Sequence, residues 1–224
     1  MNGVNLRSGV LGSKERRERE KEEIRGKILD AARELFVQEG YDAVSMRKIA
    51  EKIEYSPTAI YLHFKDKRSV LIALCDEDFL RLARELQKIG RVEDPVERMR
   101  LSGRAYIRFA LDYPNHYRWM FMTPHPDHGP DESGIRVGNP EEDTWAFLRG
   151  TVAEAIESGR LRPELQDPDL VAQAVWGSVH GVVSLQIAKC NDHWVDWRPP
   201  LEVAEVLMEA TLRGILRLNP EPGV

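Results

Sequence analysis

Four times along this chain a residue able to cap a helix stands directly before a proline: Ser56-Pro57, Asp94-Pro95, Asn139-Pro140 and Asp167-Pro168. The capping oxygen accepts from an N–H that the first helical turn leaves unpaired, while proline fixes φ and gives up an N–H that turn does not use. Glu97 and Glu142, each at the third helical position, reinforce two of these starts. No strand-like alternation of any length separates them, so the sequence predicts an all-α fold. Periodicity and punctuation together predict helices at 21–39, 46–53, 57–62, 67–89, 95–112, 114–122, 140–158, 168–189 and 201–217. The stretch from Thr123 to Asn139, TPHPDHGPDESGIRVGN, is rich in Pro, Gly, Asp and Ser and reads as a mobile surface loop. No internal repeat is present.

The formal charge of −5 is unevenly spread. Residues 1–70 carry 15 Lys/Arg against 12 Asp/Glu, a net of +3, and the remainder carries 17 against 25, a net of −8. Such a division suits a chain whose N-terminal part meets a polyanion. Residues 14–27 are a dense mixture of Glu, Arg and Lys, the composition of a solvated helix or a frayed arm rather than of core. Order increases near Ile24, where Ile24, Ile28, Ala31, Ala32, Leu35 and Phe36 form an amphipathic stripe that Gly40 ends. Cys75 and Cys190 each lie in an apolar helical pattern and read as buried free thiols in a reducing, cytoplasmic setting rather than as a disulfide. The N-terminus lacks the apolar run of a secretory leader, so export is not expected. Leu170 to Lys189 approaches the length and apolarity of a membrane span, but Gln173, His180 and Gln186 would be costly in lipid. A helix buried in protein, with no membrane partner, is therefore expected.

The densest signal is SMRKIAEKIEYSPTAIYLHF, residues 45–64. Two short helices, capped by Ser45 and Ser56, are separated only by Glu54 and Tyr55, a spacing that demands a tight helix-turn-helix. The first buries Ile49, Ala50 and Ile53; the second is too short to persist alone and must be held by its neighbours. Pro57, Thr58 and Ala59 are small and let the backbone approach another surface. Tyr61, His63, Lys65 and Lys67 follow, supplying the hydroxyl, imidazole and ammonium groups that grip phosphates beside free helix-terminal N–H groups. A recognition helix entering the major groove by its N-terminal end accounts for the whole set. Taken singly, each residue has a plainer role, His63 as a packed histidine and the lysines as solvated cations; the joint spacing is what points to DNA. Arg16, Arg17 and Arg19 have the chemistry for a minor groove, but the glutamates between them favour a solvated face.

The segment SMRKIAEKIEYSPTAIYLHFKDKRSVLIAL resembles the DNA-binding region of the TetR/AcrR family of bacterial repressors, through Ile49-Ala50, Ser56, Ile60-Tyr61, His63-Phe64-Lys65, Lys67 and Leu71. The similarity covers residues 24–74. It implies that Ser45, Ser56, Tyr61, His63 and Lys67 contact backbone phosphates, that Arg47, Pro57, Thr58 and Ala59 approach base edges, and that Phe64 packs the small domain. Two positions depart from the family. Glu54 stands where a glycine is common, so the turn must avoid a strongly positive φ or bear strain. Leu62 stands where a polar or aromatic residue is frequent, which removes a phosphate contact and makes Leu62 a core candidate. AVWGSVHGVVSL, Ala174 to Leu185, is similar to the Trp-x-x-x-His-Gly (WHG) pattern of one C-terminal-domain subgroup, and YPNHYRWMF at 113–121 fits it. The implied organisation is a charged arm over 1–20, a three-helix helix-turn-helix DNA-binding domain over 21–66, and a helical ligand-binding and dimerisation domain over 67–224.

Trp176 and His180 share one helix face, while Gly177 and Gly181 share another turned by about 100°. The indole and imidazole are expected to point inward, toward a ligand or a structural hydrogen bond, and the glycines to sit at a helix-helix contact. Tyr106, Phe109, Trp119, Met120, Trp145, Trp176 and His180 are the ligand-pocket candidates, though an aromatic stripe also serves as core. The last helix carries Val203, Val206, Leu207, Ala210, Ile215 and Leu218, which with Gly177 and Gly181 suit a four-helix dimer seam. A two-fold mate would set two recognition helices on a pseudo-palindromic operator. His116, His125, Asp127 and His128 lack metal-ligand spacing, and no cofactor or metal is expected. The reading is a homodimeric, ligand-responsive transcriptional repressor of double-stranded DNA that is not an enzyme and answers to a small apolar effector. Its rivals are an enzyme using the aromatic cavity with His180 as general base, although Gly177-Ser178-Val179-His180-Gly181 lacks the Gly-x-Ser-x-Gly spacing, and an architectural DNA-binding protein without a ligand.

Overall fold

Helix-forming sequence between these caps produces nine helices among the described residues of the computed structural model, which are 12–127, 129 and 131–217. They are α1 (Ser13–Glu39), α2 (Met46–Lys52), α3 (Pro57–Tyr61), α4 (Lys67–Gln87), α5 (Pro95–Asp112), α6 (Pro114–Met122), α7 (Thr144–Glu157), α8 (Pro168–Lys189) and α9 (Pro200–Ile215). The only strand-like pairing among those residues is an isolated bridge of Leu161 with Leu216, where Arg162 N–H donates to the Ile215 carbonyl at 2.9 Å. His128, Leu218 and residues 1–11 of the charged arm lie outside the described residues.

Three of the four cap-proline pairs start helices. Ser56 Oγ accepts from Ala59 N–H at 3.2 Å, Asp94 Oδ1 from Val96 N–H at 2.9 Å, and Asp167 Oδ1 from Asp169 N–H at 2.9 Å. Asn139-Pro140 does not; it forms a turn in which Asp143 N–H donates to the Asn139 carbonyl at 2.8 Å. The helix waits for Asp143, whose Oδ1 takes both Trp145 and Ala146 N–H groups, and Glu142 is drawn away by Arg136 at 2.6 Å. At the other extreme α1 starts at Ser13, ahead of the expected 21, because its Glu, Arg and Lys residues favour helix and pair along it, as Glu23 and Lys27 do at 2.8 Å. Of the cysteines, Cys75 is buried, and burial holds its thiol up to about 12; Cys190 is exposed, since α8 ends just before it.

Two compact units divide after Leu71, inside α4 and past the expected boundary at Lys67. In the first, α1 lays Ile28, Leu29, Ala32, Leu35 and Phe36 over Ile49 and Ala50 of α2 and Ile60 of α3, all buried, and Phe64 closes this core at 4% exposure. Lys52 of α2 pairs with Glu34 of α1 at 2.8 Å, and Lys48 pairs with Glu39. The α2–α3 turn closes by Tyr55 N–H to the Ala50 carbonyl at 2.9 Å and Glu54 N–H to the Glu51 carbonyl at 3.2 Å, the two bonds of a Schellman motif. Glu54 therefore sits at φ 61°, a conformation costly for a side chain and free for glycine. Glu54→Gly is expected to stabilise the protein by about 0.5–1 kcal/mol, read as a rise of roughly 1–4 °C in the melting midpoint; an unchanged or lower midpoint would contradict the strain. Leu62, the other departure, is 77% exposed and not core: α3 ends at Tyr61, and Ile60 and Phe64 take the inward positions.

In the second unit α5 packs against α6, α7, α8 and α9, and α8 against α7 and α9. Arg104 grips both oxygens of Glu205 at 2.5 and 2.7 Å, and Arg100 reaches Glu209 at 2.8 Å, tying α5 to α9. The closest helix approach marked by a glycine falls at Gly103, where a Cβ would lie 2.6 Å from Met208 Sδ. Gly177 and Gly181 have no atom of their own chain near such a Cβ, so the contact expected there is not made within one chain. By length and composition α8 is apolar enough to cross a membrane. It buries Val171, Ala172, Val175, Val179, Val183 and Ile187, while Leu170 and Leu185 stay exposed.

Candidate functional site

In the first unit, helix capping determines what α2 and α3 display. Ser45 Oγ accepts from Lys48 N–H at 3.2 Å, as Ser56 Oγ does from Ala59 N–H, leaving each hydroxyl proton available to an outside acceptor. Inward placement of Met46, Ile49, Ala50 and Ile60 leaves Ser45, Arg47, Ser56, Pro57, Thr58 and Tyr61 exposed, with Ala59 half-buried at the start of α3. Arg47 Nε pairs with Glu51 at 2.9 Å across an exposed surface, an ion pair cheap to exchange for another acceptor.

His63 and Lys67 are placed differently from these. His63 is half-buried with Nδ1 unpaired, and burial, then Lys21 and Arg25, holds its imidazole below its ordinary value. At neutral pH it is an uncharged donor. Lys67 Nζ donates to the Tyr41 carbonyl at 2.9 Å and stands 4.1 Å over the Tyr41 ring, bracing the start of α4. Arg25 lies 4.6 Å over the Phe64 ring.

In the second unit, a cavity of about 340 Å³ opens among α4, α5, α6, α7 and α8. Tyr106, Met120, Trp145 and Trp176 are in its wall, joined by residues that aromatic counting missed: Phe79, Leu82 and Leu86 of α4, Phe121 of α6 and Phe147 and Leu148 of α7. The heptad-like spacing of Phe79, Leu82 and Leu86 was the signal available for them. Phe109, Trp119 and His180 do not line it. Phe109 and Trp119 are core residues, 2% and 0% exposed, and the Trp119 ring lies against that of His125, centroids 4.8 Å apart and planes tilted by 34°.

Behind the wall runs a chain of donors. Trp176 Nε1–H donates to Tyr106 Oη at 3.0 Å, Tyr106 Oη to Tyr117 Oη at 3.1 Å, and Tyr117 Oη reaches His180 Nδ1 at 2.5 Å. This direction requires Nδ1 to accept, hence a neutral imidazole protonated on Nε2. Burial lowers the His180 pKa and so favours that form, and it raises the phenols, Tyr106 to about 12 and Tyr117 further. With Nδ1 so engaged, His180 is not aimed into the cavity as a general base. His116 Nδ1 meets the buried Asp78 at 2.7 Å, and no group of three metal-ligating side chains occurs among the described residues.

Residues 28–74 match the family model described as bacterial regulatory proteins, tetR family, and residues 99–211 match the tetracyclin repressor-like, C-terminal domain. The HTH-type transcriptional repressor AcnR of Corynebacterium glutamicum is 33% identical over 96 residues, 43% of this chain and 45% of that protein, so the match spans less than half of that relative. The fatty acid metabolism regulator protein of Bacillus subtilis is 26% identical over 197 residues, 84% of this chain and 93% of that protein. A TetR family transcription regulator from Marinobacter aquaeolei VT8 shares the fold with a TM-score of 0.69 and 20% identity, over 90% of this chain and 98% of that one.

Proposed function

The chain belongs to the TetR family of bacterial regulatory proteins, and we propose that it is a cytoplasmic, homodimeric transcriptional repressor that binds a pseudo-palindromic DNA operator and is released by a small apolar effector. The observation that carries this reading is the capped α2–α3 pair, which exposes Arg47, Pro57, Thr58 and Tyr61 together while its apolar face is consumed by α1. In the proposed complex Ser45, Ser56, Tyr61, His63 and Lys67 hold phosphates, and Arg47, Pro57, Thr58 and Ala59 face base edges. His63 contributes a neutral N–H there, and Lys67 reaches phosphate by leaving the Tyr41 carbonyl. The name of AcnR as a repressor supports repression as the sign of the effect.

Dimerisation through α8 and α9 is supported by apolar surface that one chain leaves uncovered. Val203 and Val206 are 40% and 73% exposed, Ala210 and Gly177 are exposed, and Leu207 and Gly181 are half-covered. The Trp176–His180 arrangement supports placing the second unit in the Trp-x-x-x-His-Gly subgroup. For release, the effector must bind the arrangement that fits DNA poorly more tightly than the one that fits it. Helix α4 is the element to carry the change, since Phe79, Leu82 and Leu86 face the cavity and the same helix begins at Lys67.

Binding-site selection from random duplex DNA at physiological salt tests the proposal. Wild type should enrich a palindrome. Tyr61→Ala should lower affinity for every duplex about tenfold, the loss of a phosphate hydrogen bond, whereas Thr58→Ala should change base preference. Strong binding with no enriched motif would favour the architectural alternative and overturn operator recognition.

A further inference from the structure

The cavity in the second unit is unusual less for being apolar than for having almost no hydrogen-bonding capacity left. None of its lining residues carries a charge. The polar side chains in the wall are Ser102, Tyr106, Thr144 and Trp176. Three are committed: Ser102 Oγ donates to the Arg98 carbonyl at 2.7 Å, Trp176 Nε1–H to Tyr106 Oη, and Tyr106 Oη to Tyr117 Oη. Thr144, half-buried at the start of α7, is the wall residue whose hydroxyl makes no hydrogen bond within the described chain.

A guest that needed more than one hydrogen-bond donor from the wall would have to break the Trp176–Tyr106–Tyr117–His180 chain or the Ser102–Arg98 bond, and an anion or cation would lose its hydration with nothing charged to replace it. The aromatic and aliphatic wall offers dispersion and removal of apolar surface from water instead. At about 30 Å³ for each water-sized group, the cavity holds roughly ten to twelve heavy atoms.

Building on the effector reading above, we infer that the molecule taken by this cavity is uncharged, with a compact hydrocarbon body and at most one neutral polar group, which hydrogen-bonds Thr144. Carboxylic acids in their ionised form, thioesters carrying phosphates, and amines in their protonated form are excluded from the cavity by the same chemistry.

Three probes of matched shape test it against the full-length protein: naphthalene, 2-naphthol and 2-naphthoate, titrated by calorimetry and by the fluorescence of the wall tryptophans. At neutral pH 2-naphthol is expected to bind at least about 100-fold more tightly than 2-naphthoate. Thr144→Val should weaken 2-naphthol by about three- to tenfold and leave naphthalene unchanged. Ser102→Leu, which fills the cavity, should abolish binding of both neutral probes, while Ser102→Ala should not; melting curves check that each variant folds, and the wild-type comparison stands without them. Binding of 2-naphthoate as tight as that of 2-naphthol overturns the exclusion of charge, and equal loss of both neutral probes in Thr144→Val overturns the role of Thr144. If no probe binds while wild type still selects an operator, the ligand class is wrong and DNA recognition survives. If the neutral probes bind and no operator is selected, the cavity chemistry holds and the regulatory reading fails.

Discussion

Val206→Arg is expected to turn the dimer into a monomer and to lower operator affinity by about 100-fold or more. Val206 is 73% exposed on α9, on the side away from Ala204, Met208 and Leu212, which are buried in its own unit. The substitution therefore leaves the fold of one chain intact. In a two-fold seam, however, every substitution occurs twice, and the two arginines would carry their charge and bulk into the apolar surface of the mate, whether or not Glu202 one turn earlier pairs with them. Losing the partner removes the second half-site contact, which in a bivalent complex is worth 10²- to 10⁴-fold, an order-of-magnitude range of about three to five kcal/mol. Sedimentation or size exclusion at micromolar concentration reads the first effect and operator titration the second. A variant that stays dimeric and keeps its operator affinity would move the seam off α9.

Which parts of this protein were legible in its sequence follows from how local their causes are. Ser56, Asp94 and Asp167 act within one turn of the helices they start, so the residues themselves announce the boundary. Asn139-Pro140 carries the same local pattern and fails, because Asp143 a few residues later caps two N–H groups at once and Glu142 is claimed by Arg136. The α2–α3 pair was legible for the same reason, down to the strain at Glu54, since a turn of so few residues permits few backbone paths. The cavity was not. Trp119 and Phe109 have the composition of a ligand wall, but which way an aromatic side chain faces depends on helices far away in sequence. Phe79, Leu82 and Leu86 look like ordinary core until α7 is set opposite them. His180 was expected in the pocket wall from its spacing to Trp176, but it lies outside that wall and ends a hydrogen-bond chain whose two middle members, Tyr106 and Tyr117, come from other helices.

That chain makes two conservative substitutions unequal. Tyr117→Phe removes a hydroxyl, but Tyr106 Oη already lies 3.2 Å from His180 Nδ1 and can donate to it directly, so the expected cost is about 1 kcal/mol. Tyr106→Phe removes the acceptor of the Trp176 N–H, for which no substitute stands nearby in the chain of donors, and should cost about 2–3 kcal/mol, the penalty of an unpaired buried polar group. In thermal melts the Tyr106 variant should lie about 4–8 °C below wild type and clearly below the Tyr117 variant; equal losses would mean that the hydroxyls only fill space. Acid should attack the same place. Burial holds the His180 pKa below its ordinary 6.5, so below that pH the unfolded chain binds a proton that the folded chain resists, and stability falls as pH drops from 6.5 toward the folded value. Protonated, Nδ1 becomes a donor facing the Tyr117 hydroxyl, so the two tyrosine hydroxyls must turn while the Trp176 N–H can only go on donating to Tyr106. His180→Asn, which keeps an acceptor and cannot titrate, should therefore lose less stability than wild type between pH 7.5 and 5.5, and an identical loss would place the acid sensitivity elsewhere.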